Sequence, residues 1–145
     1  MLNQTQEELW REYLEHEEVR IHSVSLESLD KFIVALENDP IELWSEWVYD
    51  LCRQTVDEGS DIPVRFPLFR RILFPALLMG YEQSRTGCAR WLAGFSRLLY
   101  KSPECIAQLG EDNFSSKSLL YAALRHEPND YVSREKLIGI ICRRI

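Results

Sequence analysis

Apolar residues recur at the 3.6-residue helical period along almost the whole sequence, and each run is opened by a cap or a proline and closed by glycine or polar residues. This repeated punctuation is the strongest constraint on the fold. Thr5-Gln6-Glu7-Glu8 reads as a capping box with Thr5 as N-cap, ahead of Leu9, Trp10, Tyr13 and Leu14 on one face. A second helix is expected from near Ser25, burying Leu26, Leu29, Phe32, Ile33 and Leu36. Asp39-Pro40 starts a third, with Pro40 at the first helical position, where its missing N–H costs nothing. That helix carries Leu43, Trp44, Trp47, Val48 and Leu51, and Gly59 is its natural stop.

Residues 60–66 form the clearest break. The stretch 67–83 is apolar on nearly every side, which marks it as the most buried element, and Pro75 inside it predicts a kink or two short helices. Helices are expected over 88–100, from the Ser102-Pro103 cap to Gly110, over 117–126 and over 130–144. No two-residue alternation and no Asn-Gly or Asp-Gly hairpin is present. The expected fold is all-α: one domain over 1–145, an irregular helical-repeat-like bundle of about eight antiparallel helices.

The same sequence narrows the chemistry. Hydrophobic residues at 46% and charged residues at 28% match a soluble globule, and no apolar run reaches the ~18–20 residues of a membrane span. The acidic N-terminus lacks a signal-peptide core, so a cytoplasmic protein is expected. Cys52, Cys88, Cys105 and Cys142 match no zinc spacing and read as reduced core thiols. Glu12 and His16 share a helix face but make only half a metal site. No G-x-S-x-G elbow, Walker loop or dinucleotide fingerprint is present. The expectation is therefore a non-enzyme with no cofactor, metal or small-molecule ligand.

The charge layout is more informative. Residues 1–63 hold 16 acids against 4 bases, net −12, whereas residues 64–145 hold 7 acids against 13 bases, net +6. Either the acidic helices pair with the basic, more apolar ones along a packing seam, or they present an acidic surface to a basic partner. Glu42, Glu46 and Asp50 are spaced four apart and form one row, although like charges at that spacing cost a helix about 0.2–0.5 kcal/mol per pair. Glu8, Glu12 and Glu15 line up similarly. Trp44 and Trp47, about 60° apart on the wheel, border the Glu42–Glu46–Asp50 row and are candidate apolar anchors. The candidate partner-binding set is Glu12, Glu15, Glu42, Trp44, Glu46, Trp47 and Asp50. Arg65, Arg70 and Arg71 flank Phe66 and Phe69, but no nucleic-acid module accompanies them, so nucleic acid is not the expected partner.

Two resemblances bear on function. Leu119-Leu120-x-x-Ala123-Leu124-x-x-x-Pro128-Asn129-Asp130 resembles the junction between consecutive tetratricopeptide repeats, without the Trp, Gly and Tyr signature of the first repeat helix. More loosely, the whole chain resembles small all-helical bacterial immunity proteins of polymorphic or contact-dependent toxin systems. That likeness implies a protein-binding inhibitor that neutralises a basic toxin, such as a nuclease, by occluding its active site. The repeat-like junction implies the alternative, an adaptor that binds a peptide or protein.

Overall fold

The computed structural model describes residues 2–142. Its regular structure is helical throughout, with no strand among the described residues. The chain divides into two compact units, residues 1–76 and 77–145. Ten α-helical segments and two π-helical turns are present among the described residues. Where these abut they join into nine helices among the described residues, against the eight or so expected.

The first unit begins with a helical hairpin, α1 (Gln4–Glu18) and α2 (His22–Glu37). Gln6 near the start of α1 bonds to Ala35 near the end of α2, while His16 meets Ser28, so the two helices run antiparallel. The capping box lies two residues earlier than expected. Asn3, not Thr5, accepts the Gln6 N–H at 2.8 Å, and the Gln6 carboxamide accepts the Asn3 N–H at 3.0 Å. The buried Gln6 amide then donates to Ala35 O and Asp39 Oδ2, which satisfies it in the hairpin interior. Helix α2 likewise begins before Ser25, and Leu26 faces solvent because it lies on the flank of the Leu29–Phe32–Ile33–Leu36 stripe.

Helix α3 (Ile41–Cys52) follows Pro40, which stands at the N-cap and not inside the helix. It continues into a π-helical turn, Arg53–Asp57, and Gly59 with φ +71° ends the run as anticipated. The proline effect takes a specific form. Helix α4 (Phe66–Leu68), a π-helical turn (Phe69–Leu73) and α5 (Phe74–Glu82) follow without interruption. In α-register the Pro75 ring would clash with the Arg71 carbonyl; the wider turn, closed by the Phe74 N–H on Phe69 O, relieves that clash without ending the helix. Tyr13, Phe32, Ile33, Leu36, Leu68, Phe69, Ile72 and Leu73 are fully enclosed.

The second unit holds α6 (Cys88–Gly94), α7 (Ser96–Leu99), α8 (Pro103–Leu109), α9 (Ser116–His126) and α10 (Tyr131–Cys142). The expected helix 88–100 is broken at Phe95, which follows the weak helix former Gly94. Gly87, with φ +96°, precedes α6 under the Trp91 ring, where a Cβ would stand 2.8 Å from two ring carbons. Ser102 caps α8 and Gly110, φ +98°, stops it. Asp130 caps α10 through the Ser133 N–H and hydroxyl, and the Arg90 guanidinium of α6 closes on the same carboxylate at 2.6 Å. The expected extension of this helix to Arg144 lies outside the described residues. Cys52, Cys88 and Cys105 are buried, but Cys142 is exposed on the outer side of α10 and is not a core thiol.

Candidate functional site

The charge division has a structural cause that the sequence count missed. Arg65 and Arg71, counted with the basic part, belong to the first unit and pair with its acidic helices. Arg65 grips Glu17 of α1 through two hydrogen bonds, at 2.9 and 2.7 Å. Arg71 reaches Asp30 of α2 at 3.0 Å and also pairs with Glu37. A packing seam therefore exists, but it uses Glu17, Asp30 and Glu37, none of which belongs to the candidate set. Within the aromatic–arginine cluster over 65–71, Phe69 is buried and Arg65 and Arg71 are engaged with carboxylates, while Arg70 is exposed. The first unit still carries 16 acids against 7 bases, net −9, and the second 7 against 10, net +3.

Helix α3 turns Trp44, Val48, Tyr49, Leu51 and Cys52 inward and leaves Glu42, Leu43, Glu46 and Asp50 exposed. The carboxylate row thus stands on an open face. Asp50 is tied down at its end: Arg53 pairs with it, and Gln54 donates to it at 2.7 Å. The hydrogen-bonded guanidinium holds the Asp50 carboxyl below the usual range. Arg53 also pairs with Glu58, so this end of the row is a local charge network. Glu42 and Glu46 are the outward part.

Trp44 is corrected. It is 5% exposed, and its indole N–H donates to Asp39 O at 3.3 Å, so it is a core residue and not an exposed anchor. Trp47 keeps part of its surface exposed. Its ring meets Trp10 edge-to-face at 5.1 Å and Phe32 at 5.2 Å, which fixes its orientation. Beside this pair lies an open cleft of about 400 Å³ lined by Leu2, Glu7, Trp10, Arg11, Leu14 and Trp47.

Glu12 and Glu15 are exposed but do not join this surface. At 100° per residue they lie about 160° and 140° around α1 from Trp10, on its outer side. The α1 row and the α3 row are thus separate. The site residues that sequence reasoning missed are Leu43, Glu7 and the exposed edge of Trp10. Leu43, expected within the apolar arc of its helix, is 54% exposed. Its wheel position was legible; the pull of its apolar character obscured it.

Among the described residues no group of three or more His, Cys, Asp or Glu side chains is placed to hold a metal ion. His16 turns from Glu12 toward the Ser28 hydroxyl. No helix among the described residues is long and apolar enough to cross a membrane. The surface can offer carboxylates beside half-exposed aromatic rings, which suits recognition of a cationic polypeptide. No protein-family model, curated protein or solved structure matches this chain, and the reading of the site rests on its own geometry.

Proposed function

We propose that this chain is a non-enzymatic, protein-binding inhibitor that acts in the cytoplasm as an immunity protein, neutralising a basic toxin by covering its active site. The observation that carries the reading is the outward face of α3, where Glu42, Leu43 and Glu46 are exposed and Trp47 is partly exposed. Exposed carboxylates on one helix face are well placed to steer a basic protein toward it. Leu43 and Trp47 supply the apolar contact that charge alone does not provide. If the partner is a nuclease, the carboxylates take the place of nucleic-acid phosphates at its active site, and occlusion needs no chemistry from the inhibitor.

The test is capture from the native lysate with wild type and with Glu46→Lys. The expected partner is basic, harms cells when expressed alone, and is silenced by wild type but not by the reversed variant. A partner retained equally by both proteins, or one whose expression alone is harmless, sinks this reading.

A further inference from the structure

We infer that the cleft between α1 and α3 is an arginine-binding site, receiving one guanidinium side chain that projects from the basic surface of the partner. This rests on the inhibitor reading and names what that surface must present. The cleft floor is the Trp10–Trp47 pair, both partly exposed and set edge-to-face at 5.1 Å. Trp44 uses its indole N–H internally, whereas no acceptor among the described residues meets the indole N–H of Trp10 or Trp47. A half-buried indole with its polar tip left to solvent has an apolar body and a donor ready for a partner's carbonyl oxygen. Glu7 stands on the rim as a carboxylate, and Leu14 forms an apolar wall.

Charge decides what fills it. The unit around the cleft carries −9, so a cation is drawn toward it and an anion repelled. Among cations the guanidinium fits better than an ammonium. It is flat, weakly hydrated, stacks on an indole face and can give two parallel N–H bonds to a carboxylate. A lysine ammonium loses more hydration on entering an apolar cleft and gains one point contact. Arg11 shares the rim, one turn beyond Glu7, but it also lies within one turn of Glu8 and Glu15, which offer its exposed side chain other carboxylates. An arriving arginine therefore displaces it at little cost.

The experiment titrates the ¹⁵N-labelled full chain with a blocked peptide of three arginines alternating with glycine and serine, and with its lysine and leucine counterparts. The readout is the four indole N–H resonances, with buried Trp44 and Trp91 as internal controls. The arginine peptide is expected to shift Trp10 and Trp47 saturably, about threefold or more tighter than the lysine peptide, and the leucine peptide to leave them still. Glu7→Gln should weaken the arginine peptide while leaving the melting temperature unchanged. Equal binding of arginine and lysine peptides, or no movement of the Trp10 and Trp47 signals, overturns the inference. Shifts confined to amides near Glu42 and Glu46 overturn it too, yet leave the inhibitor reading standing. Conversely, seating of the arginine peptide together with a captured partner that is harmless when expressed alone sinks the inhibitor reading alone.

Discussion

The Arg65 guanidinium meets the Glu17 carboxylate side-on through its Nε and Nη2, both hydrogen bonds under 3 Å, and so ties the segment after α3 back onto α1. Beside the pair, the Tyr13 hydroxyl donates to Pro63 O at 3.2 Å, which fastens the same segment a second time. Burial and the nearby carboxylate push the Tyr13 phenol well up, so it stays a donor at any physiological pH. Glu17 is held below its ordinary range, chiefly by the Arg65 hydrogen bonds. Because its folded pKa is depressed, its stabilisation is present above about pH 4.5 and is lost as pH falls through the folded value. Glu17→Gln should cost about 1–2 kcal/mol in urea melts at pH 7, a figure discounted for the partly exposed arginine. It should also speed amide exchange over 60–65. The cost should vanish in acid.

How much of this was legible follows from how far each cause lies along the chain. Gly59, Gly110 and the Ser102 cap act within one turn, and their stops and starts were readable directly. The Asn3 capping box was equally local, but Thr5-x-x-Glu8 offered a competing match; Gln6 decides it by reaching Ala35 and Asp39 from the earlier register. Leu26 and Leu43 break the rule that a leucine in a helical run points inward, since tertiary packing had already filled those stripes. The Arg65–Glu17 and Arg71–Asp30 pairs span dozens of residues, and no periodicity reveals them.

Asp130 joins two tasks, capping α10 and receiving Arg90 of α6, while 3% of its side chain is exposed. The repeat-like Pro128-Asn129-Asp130 pattern pointed to the helix start but not to the ion pair. Asp130→Ala should cost about 2–4 kcal/mol, because it removes a cap and one charge-assisted hydrogen bond to the Arg90 guanidinium. Asp130→Asn should cost less, since the carboxamide keeps the cap to Ser133. Thermal melts of the two variants separate the contributions.

His126 gives the second unit a pH dependence of the opposite origin to that of the carboxylates. Its Nδ1 is buried without a hydrogen-bond partner, and its ring sits edge-on to Tyr81 at 5.7 Å. Burial first, and Arg125 second, lower its pKa. The unfolded chain then binds a proton more readily than the folded one, so stability is full above about pH 6.5 and declines as pH falls through that value. Titrating stability between pH 8 and pH 5 should show this slope, and His126→Gln should flatten it. A wild-type profile flat over that interval would contradict the arrangement.

Thiol accessibility checks both units in a different way. Cys142 is exposed, while Cys52, Cys88 and Cys105 are buried. A thiol reagent should modify one site in the native protein and all four after unfolding, and Cys142→Ser should abolish the native reaction.

The last prediction separates the two acidic rows. Glu42 and Glu46 share the open face of α3 with Leu43 and Trp47, whereas Glu12 and Glu15 point away from that face on the outer side of α1. Against the captured partner, Glu42→Lys and Glu46→Lys should slow association and weaken binding, because local pairing and steering both lose a favourable contribution. Glu12→Lys and Glu15→Lys change net charge by the same amount but lie off the contact, so they should slow association modestly and leave dissociation unchanged. Raising salt should narrow the gap between wild type and the α1 variants, since it screens charges beyond ~8 Å at physiological ionic strength. The α3 variants should keep their deficit in salt, because a lysine there meets the partner's basic surface directly. None of the four should unfold the protein, since all four carboxylates are exposed. Four variants with equal effects would mean that only bulk charge matters, and the α3 face would lose its claim to be the binding surface.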